Sequence, residues 1–435
     1  MVMSGIYNNI AEPMLELLFR VSALWSDKAR KAMDGREDWE KKLSEQLTKS
    51  AMRKVILFHA PSVGEFLQGR AVIERLLNRH PDVGVIVTHF SPSAEKIVSS
   101  YKRAVAHGYL PFDSPKNMRR LFEISKPVMV ILSRADVWHN LVLEATHRDI
   151  PVALIAGSIP NDSFFNRWFL KISAERFRLL SCIGAISEEE ANNFIKLGVA
   201  ESAVKVTGDP RFDQTWERAR ALDPADPAIK SFPGEGWIFV AGSTWGKDEK
   251  ILLDAFRRVV NERADARLIL VPHEPTPRRI ESIKSRIRSL GMRYVTLKEV
   301  ENNTGHIAPI VVVDRVGILG KIYSLGKCAF VGGSFVRKVH NVMEPACFGI
   351  PVIVGPYHKN SHEAVMMISN GGCFAVKDEQ EFAKWWLKFL EDENFRNQAG
   401  DKAIKFIESQ TGSAQRTAEW LEQKFPWIFS QVSEV

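Results

Sequence analysis

The stretch KVILFHAPSVGEFLQGRAVIERLLNRHPDVGVIVTHF, residues 54–90, decides the fold class. It begins with an apolar run (54–59), continues with a helix-like pattern (65–80) and ends with a second apolar run (83–90). Short apolar strands joined by an amphipathic helix are typical of a parallel sheet that is covered on both faces. The stretch therefore predicts an α/β protein built from strand–helix–strand units.

The same alternation continues along the chain in two series. The first series adds predicted strands at 127–133, 150–158 and 181–187. A second series starts with WIFVAGS (237–243), after a stretch rich in proline and glycine that indicates an interdomain linker. A chain of 435 residues is long enough for two domains of roughly 200 residues each. We therefore predict two doubly wound, Rossmann-like domains, facing across a cleft that strand-end loops line.

The predicted division of the chain has five segments. An amphipathic helix comes first and a group of helices comes last, and we expect the last group to return toward the first domain. The segments are the N-terminal helix (1–35), the first Rossmann-like domain (36–218), the linker (219–236), the second Rossmann-like domain (237–400) and the C-terminal helices (401–435).

Composition narrows the class of protein. With 45% hydrophobic and 26% charged residues, the chain has the balance of a soluble globular protein. Its 59 Lys and Arg exceed 52 Asp and Glu by 7, which suits anionic small molecules or an anionic membrane surface and is too weak to argue for nucleic acid. Four scattered cysteines without a C-x-x-C pair predict buried thiols rather than disulfides or a zinc site.

The N-terminal segment PMLELLFRVSALW (13–25) is apolar and is followed by Lys28, Arg30 and Lys31. A short apolar helix with cationic flanks and a tryptophan can lie in the headgroup region of a membrane. A helix that packs on its own domain is an equal alternative. No run of about 18 apolar residues is present, so we predict no membrane-spanning helix.

Three glycine-containing loops follow strands of the second series. One such loop usually serves only to turn the chain, but three at one sheet edge predict a nucleotide or nucleotide-sugar site, where backbone N–H groups attract phosphate. No G-x-G-x-x-G follows the first strand and no P-loop motif is present, which argues against a dinucleotide or a P-loop nucleotide. The candidate residues of these loops are Gly242, Ser243, Thr244, Gly332, Gly333, Ser334, Asn341, Glu344, Asn360 and Glu363.

A metal site is not predicted. His358 and His362 have i, i+4 spacing but lack the H-E-x-x-H context of zinc enzymes. The second series also lacks a D-x-D pair of the kind that holds a divalent ion on a pyrophosphate.

Glu65 has two interpretations. Ser62 and Glu65 fit the S-x-x-E pattern of a capping box, in which both side chains satisfy backbone N–H groups. Glu65 also follows the first strand of its domain, where the loop faces the predicted cleft. A carboxylate at a helix N-terminus is kept ionised by the helix dipole and can act as a general base. The pattern alone does not decide between a cap and a base.

Taken together, the motifs resemble the 3-deoxy-D-manno-oct-2-ulosonic acid (Kdo) transferases, inverting glycosyltransferases that add Kdo to the lipid A precursor. The resemblance covers most of the chain and rests on FHAPSVGEFLQGRAVIERL, THFSPSAEKI, TGDPRFD, AGSTWGKDEKILLDAF, VGGSFVRKVHNVMEPACFGIPVIVGP and NSHEAVMMISNGG. It implies a GT-B fold, CMP-Kdo as donor, a lipid A precursor (lipid IVA) as acceptor, and no cofactor or metal. It further implies a peripheral position on the cytoplasmic face of the bacterial inner membrane, with no nucleic-acid partner.

The resemblance also assigns residues. Glu65 matches the family's general base, with Ser62, Gly64, Ser91, Ser93 and Asp136 on the acceptor side. Arg211 and the loop 242–244 would bind the donor phosphate, Glu344 would meet the ribose, and His273 is a further donor-side candidate. The remaining loop residues named above would complete the donor site.

The chain departs from the family in SRADVWHN (133–140), where the family often has E-x-E. Arg134 stands in place of the first glutamate and Asp136, which is shorter, in place of the second. Two alternatives therefore stay open: a GT-B transferase that uses a UDP- or GDP-sugar, and a non-catalytic protein that binds nucleotide or lipid. The oligomeric state and the number of Kdo residues transferred are open as well.

Overall fold

A computed structural model describes residues 7–159, 174–230, 232, 236–302 and 308–430. The chain forms two compact units: the first comprises Met1–Gln214 and Thr411–Val435, and the second comprises Thr215–Gln410. The division falls inside the helix Pro210–Arg220. The segment 219–236, interpreted as a linker, thus lies within the second unit, and the return to the first unit occurs at Thr411 rather than at 401.

The first unit contains a sheet of seven parallel strands in the order β3-β2-β1-β4-β5-β6-β7. The predicted strands of the first series are confirmed, with slightly narrower bounds, and two edge strands, β3 and β7, were not predicted. The strands are β1 (Lys54–His59), β2 (Val83–His89), β3 (Ala104–Tyr109), β4 (Met129–Ser133), β5 (Val152–Gly157), β6 (Cys182–Ala185) and β7 (Val204–Val206).

Helices cover both faces of this sheet, and two apolar cores lie between the sheet and its helices. The C-terminal helix Ser413–Lys424 contributes Ala418 and Leu421 to the same core as the helix Val63–Arg79. The helices of the unit are Glu12–Ser22, Asp27–Asp34, Trp39–Leu47, Val63–Arg79, Glu95–Ser99, Pro115–Ser125, His139–His147, Ala174–Arg178, Glu188–Lys196, Pro210–Arg220, Ser413–Lys424 and Pro426–Phe429, with single turns at Tyr7–Ala11, Pro92–Ala94 and Glu201–Ala203.

The second unit repeats this architecture with a sheet of seven parallel strands in the order β10-β11-β9-β8-β12-β13-β14. Continuous apolar sequence buries β8, β9 and β12 on both faces, as expected for the interior of a parallel sheet. The strands are β8 (Trp237–Thr244), β9 (Ala266–Pro272), β10 (Tyr294–Thr296), β11 (Ile310–Val312), β12 (Cys328–Val331), β13 (Val352–Val354) and β14 (Cys373–Ala375).

Helices again flank the second sheet. Trp386 of one of them is fully buried and stacks on Phe239 of β8, with ring centroids 3.9 Å apart. The helices are Pro227–Lys230, Gly246–Glu262, Pro277–Ser289, Leu297–Glu301, Leu319–Ile322, Met343–Ala346, His362–Asn370, Glu379–Glu391 and Glu393–Gln410, with a single turn at Tyr323–Leu325. The predicted α/β class, with two doubly wound parallel sheets, is confirmed.

The N-terminal helix Glu12–Ser22 packs on its unit and also exposes apolar side chains. Phe19 contacts Phe90 and Phe112, with ring centroids 5.2 Å and 6.0 Å away. The opposite face and the residues after it are exposed, namely Met14, Leu17, Leu18, Val21, Leu24 and Trp25. The packing of Phe19 agrees with a helix that lies on its own domain, and the opposite face is uncovered. Contact of that face with a membrane stays a prediction. Within the described ranges, no helix has both the length and the apolar character needed to cross a membrane.

Candidate active site

The carboxyl edge of the first sheet carries the candidate catalytic residues. In the strand order, β1 and β4 are neighbours, and the chain continues from β1 toward one side of the sheet and from β4 toward the other. The loops after these two strands therefore diverge and leave a crevice, which is where open α/β sheets bind ligands. Glu65 follows β1, and Arg134 and Asp136 follow β4, so the topology brings residues about 70 positions apart to one place.

Glu65 lies in the first turn of the helix Val63–Arg79, and its side chain is 19% exposed. The Ser62 hydroxyl donates to the Glu65 carboxylate, and Ser62 forms no side-chain cap on the helix backbone. The capping-box prediction is therefore wrong, because the two side chains bind each other instead of the backbone N–H groups. Arg134 approaches from the β4 loop, with Nη1 3.6 Å from Glu65 Oε1.

Asp136 is held by two donors on the same loop edge. His59 Nε2 lies 2.9 Å from Asp136 Oδ2, and Trp138 Nε1 donates to the same oxygen over 3.0 Å. His59 is fully buried, and its other ring nitrogen, Nδ1, lies 3.0 Å from Thr88 Oγ1. These contacts fix the direction of the Asp136 carboxylate.

The other predicted acceptor-side residues lie on adjacent loops. Ser91 N donates to Pro61 O over 2.8 Å, which ties the loop after β2 to the loop that precedes Ser62. The Ser91 and Ser93 hydroxyls are 2.9 Å apart. Gly64 is exposed, and a Cβ placed on it would come no closer than 4.0 Å to another residue.

Arg211 belongs to the first unit, whereas the glycine loops with which it was grouped belong to the second. Its Nη2 lies 2.6 Å from Asp209 Oδ2, and Gln68 donates to Asp209 Oδ1 over 2.8 Å. Burial raises the pKa of Asp209, but the charge and hydrogen bonds of Arg211 outweigh burial and hold that pKa below its ordinary value. Arg211 is thus positioned by a buried carboxylate.

The second sheet has its own divergence of loops, between β8 and β12. Strand β8 continues through Thr244, so the residues 242–244 end a strand instead of beginning a helix, which starts at Gly246. These three residues therefore do not belong to the first turn of that helix. The Thr244 hydroxyl donates to the Glu249 Oε1 atom over 3.1 Å, and Ser243 has a left-handed backbone with φ of 53°.

Asp248 holds the glycine loop after β12 through hydrogen bonds to the loop backbone. Its carboxylate is fully buried and accepts three backbone N–H groups, from Trp245 at 2.8 Å, Gly333 at 2.7 Å and Phe335 at 3.0 Å. Burial raises the pKa of Asp248 above its ordinary value, although the three N–H groups oppose that shift. A Cβ on Gly332 would lie 2.3 Å from the Ser243 carbonyl oxygen, so the two loops touch through their backbones and only glycine fits.

A stacked group of rings lies at the same edge. His273 stacks between Trp245, at 4.9 Å, and His340, at 4.4 Å. Trp245 Nε1 donates to His340 Nε2 over 2.9 Å, which makes that nitrogen an acceptor and places the proton of the neutral ring on Nδ1. Burial, together with His273 and Lys338, lowers the pKa of His340 to about 4, so this ring is neutral at physiological pH.

A cavity of about 310 Å³ lies within the second unit and contains Glu344. Arg218 and Lys321 line it, and Lys321 forms an ion pair with Asp226. Burial raises the pKa of Glu344, while the charge of Arg218 and a hydrogen bond from Asn341 lower it in part. Asp223 and Asp226 also line the cavity, which thus combines two cations with three carboxylates.

Three predicted donor residues are engaged in contacts within or between the segments that follow β12 and β13. The Ser334 hydroxyl is buried, donates to Val331 O over 2.9 Å and accepts from Gly355 N over 2.8 Å. Asn360 Oδ1 accepts from Val339 N over 3.1 Å. Glu363 accepts from the Ser361 hydroxyl over 2.6 Å, and Ser361 also caps the helix that begins at His362.

The candidates predicted from the sequence did not include Arg218, Lys321, Trp245 and Asp248. Of these, Lys321 had a usable signal, since it follows β11 at the edge where ligands bind, in a segment that contains two glycines, Gly317 and Gly320, and the short helix Leu319–Ile322. In the part of the chain that the structure describes, no group of three or more His, Cys, Asp or Glu side chains is arranged to hold a metal ion.

Comparisons with known proteins give the family. Residues 37–214 match the family model described as 3-deoxy-D-manno-octulosonic-acid transferase (kdotransferase). The chain is similar to the 3-deoxy-D-manno-octulosonic acid transferase of Aquifex aeolicus, with 30% identity over 334 residues that cover 74% of this chain and 82% of the relative. It is also similar to the enzyme of that name from Haemophilus influenzae, with 24% identity over 378 residues that cover 84% and 86% of the two chains.

Solved structures show the fold. UDP-GlcNAc 2-epimerase from Neisseria meningitidis matches with a TM-score of 0.62 at 16% identity, covering 85% of this chain and all of that one (100%). A glycosyltransferase from Rickettsia africae matches with a TM-score of 0.56 at 14% identity, covering 88% of this chain and 100% of that one. These similarities establish a GT-B-like fold. The sequence matches show that the chain belongs to the Kdo transferase family of glycosyltransferases.

Proposed function

We propose that this protein transfers Kdo from CMP-Kdo to a lipid A precursor, lipid IVA, with inversion at the anomeric carbon and without a metal ion. The observation that carries the proposal is the environment of Glu65. Its carboxylate stands at the crevice between the β1 and β4 loops, is partly accessible and is oriented by Ser62. Because it is not used as a helix cap, it is available for chemistry.

Glu65 would act as the general base. It accepts the proton of the acceptor hydroxyl, whose oxygen forms a bond with the anomeric carbon of Kdo. The bond from that carbon to the phosphate oxygen of CMP breaks, and CMP leaves from the opposite face with the bonding electrons. A positioned general base contributes typically about 10²- to 10⁴-fold to such a step.

The second unit would hold the donor. Its cavity of about 310 Å³ is within the size range of ligand pockets. Arg218 and Lys321 are cations in its lining, which also contains the carboxylates of Asp223, Asp226 and Glu344. Glu344 can accept hydrogen bonds from a ribose diol. CMP carries a single phosphate, so fixed cations and backbone N–H groups can stabilise its departure without a bridging ion.

The exposed apolar face of the N-terminal helix supports a position on the cytoplasmic face of the inner membrane. Leu24 and Trp25 are 71% and 79% exposed, and Lys28, Arg30 and Lys31 follow them. An apolar helix face beside cationic residues fits a surface of anionic lipids. Such an arrangement would bring the enzyme to an acceptor that itself lies in the bilayer.

The proposal is tested by assaying the wild type, Glu65→Gln and a matched control, Glu74→Gln, with CMP-Kdo generated in situ and tetraacylated lipid A precursor. The control lies on the same helix and has an ion pair of similar length, 3.7 Å to Arg70, compared with 3.6 Å between Glu65 and Arg134. We expect product from the wild type and Glu74→Gln, and a loss of about 10²- to 10⁴-fold in kcat for Glu65→Gln with CMP binding retained.

Three further readouts complete the test. Excess chelator should leave the rate unchanged, and NMR of the product should show an anomeric configuration opposite to that of CMP-Kdo. CMP should bind more tightly than UDP or GDP. Equal turnover by Glu65→Gln would remove Glu65 from the mechanism, and absence of product from the folded wild type would contradict the proposed donor and acceptor.

A further inference from the structure

Arg134 occupies an unusual position beside the candidate base. It is the first residue after β4, and its backbone N–H donates to Ile155 O of β5 over 2.9 Å. Its φ is 64°, in the left-handed region that a residue with a Cβ rarely adopts. Such a conformation persists where the surrounding structure imposes it, and it often occurs at functional sites.

The guanidinium of Arg134 is weakly held. In the described part of the chain, its side chain makes two polar contacts: 3.4 Å from Nε to the Ser158 hydroxyl and 3.6 Å from Nη1 to Glu65 Oε1. Arg36 of the same unit, by contrast, is buried and donates to three carbonyl oxygens at 2.7 to 3.3 Å. A guanidinium has five N–H donors. Arg134, at 44% exposure, therefore retains donors for a further partner.

The charges around Arg134 indicate what that partner is. Glu65 and Asp136 are two carboxylates at one crevice, and together they would repel a negatively charged acceptor. Arg134 is a cation beside Glu65, and Arg176, which donates to Val137 O over 2.8 Å, is a second cation near Asp136. The planar fork of donors on Arg134 matches the two oxygens of a carboxylate or phosphate, which it can bind through two parallel hydrogen bonds.

We propose that Arg134 binds an anionic group of the acceptor next to the hydroxyl that Glu65 deprotonates, and so selects acceptors that carry a phosphate or a carboxylate there. This inference rests on the proposed function and specifies the acceptor class for the same site. The guanidinium now faces Glu65 Oε1, the oxygen that the Ser62 hydroxyl does not occupy. An acceptor anion that draws Arg134 toward itself leaves Oε1 to the reacting hydroxyl.

Two sources could supply the anion. One is a phosphate of the lipid disaccharide, and the other is the carboxylate of a sugar acid already attached to it. The first predicts that a phosphorylated disaccharide without any sugar acid is the preferred acceptor. The second predicts that the enzyme prefers an acceptor that already carries one Kdo.

The experiment measures kcat/KM for three acceptors: the phosphorylated lipid disaccharide, the same lipid after enzymatic dephosphorylation, and the dephosphorylated lipid carrying one Kdo. The proteins are the wild type, Arg134→Gln, Arg134→Lys and the control Arg120→Gln. Arg120 is also on the first unit, is 50% exposed and pairs with Glu40 over 2.8 Å, so its replacement removes the same charge elsewhere.

We expect the wild type to prefer an anionic acceptor by about 10- to 100-fold, the value of a charged hydrogen-bonded contact. Arg134→Gln should lose this preference, and the loss should appear mainly as a raised KM for the anionic acceptor. Arg134→Lys should retain part of the preference, and Arg120→Gln should retain all of it. A preference that survives in Arg134→Gln would overturn the inference. A uniform loss with all three acceptors would assign Arg134 to positioning Glu65, and would overturn it too.

Binding separates this inference from the proposed function. The deacylated, phosphorylated disaccharide is titrated calorimetrically into the wild type and Arg134→Gln. If the wild type transfers Kdo but both proteins bind the disaccharide equally, the inference fails and the proposed function stands. If the wild type binds it through Arg134 but transfers nothing from CMP-Kdo, the proposed function fails and anion recognition stands.

Discussion

Replacement of Leu17 and Leu18 by glutamine should weaken membrane binding without unfolding the protein. The two side chains are 59% and 57% exposed, so glutamine at these positions leaves the packed face of the helix intact. That face is anchored by Phe19, which contacts Phe90 and Phe112. The double variant therefore changes the uncovered surface alone.

The magnitude follows from the exposed area. More than half of each leucine is available for transfer into the apolar region, which at about 25 cal/mol per Å² is worth roughly 1 to 1.5 kcal/mol per side chain. The two together give about 2 to 3 kcal/mol, which corresponds to a decrease of about 30- to 150-fold in the partition coefficient.

The assay is co-sedimentation with large unilamellar vesicles that contain anionic phospholipid, at several salt concentrations. Binding of the wild type should weaken with salt, because Lys28, Arg30 and Lys31 add an electrostatic component that salt screens. The control is Val316→Gln, since Val316 is 74% exposed but belongs to the second unit. A double variant that binds within about threefold of the wild type would refute the assignment of this helix face to the membrane.

Three further predictions concern the two sheet edges. Asp248→Ala should lower the free energy of unfolding by about 3 to 5 kcal/mol and weaken CMP binding, because three backbone N–H groups lose their acceptor. Thermal unfolding measures the loss of stability, and an unchanged midpoint would contradict the prediction. Gly332→Ala should destabilise the folded protein by at least about 2 kcal/mol, because the new methyl group would clash with Ser243 O. Gly64→Ala should stabilise the protein by up to about 1 kcal/mol, because its methyl group meets open space in a helix. Equal effects of the two substitutions would refute the steric argument. Burial raises the pKa of Asp113 to about 7 in the folded state, so the folded protein binds the Asp113 proton more tightly than the unfolded chain does. The stability that this proton contributes is therefore lost as pH rises toward 7. Denaturation from pH 5 to 8.5 should therefore show the wild type losing stability relative to Asp113→Asn, and parallel curves would exclude the effect.

The fold was predictable because its central strands are apolar on both faces. KVILFH (54–59) coincides with β1, and the other predicted central strands differ from the structure by one to three residues at their ends. The unpredicted strands β3, β7, β10 and β14 lie at the sides of the two sheets, where one face or edge is uncovered and the sequence needs less apolar character. A strand such as VKV (204–206) is also too short to give a periodic signal.

The candidate site could be predicted from the sequence only where its residues lie in a single loop. The position of Glu65 at the crevice followed from strand order, but its partners did not. Whether the Ser62 hydroxyl binds Glu65 or the backbone depends on side-chain rotamers, which the S-x-x-E pattern does not encode. The cavity of the second unit unites Arg218 with Lys321 and Glu344, which lie more than 100 residues later in the chain. Such a group is visible only once the chain has folded.

The two sheet edges use charge in opposite ways, and this difference explains which changes each edge tolerates. At the edge of the second sheet, Asp248 is fully buried and its oxygens are saturated by backbone N–H groups, so it maintains loop geometry and cannot change without altering the loops. At the edge of the first sheet, the Arg134 side chain is partly exposed and held by long contacts. A residue of that kind can be exchanged without loss of the fold. The side chain at position 134 can therefore be exchanged to match the charge of the acceptor, while the geometry of Glu65 stays the same.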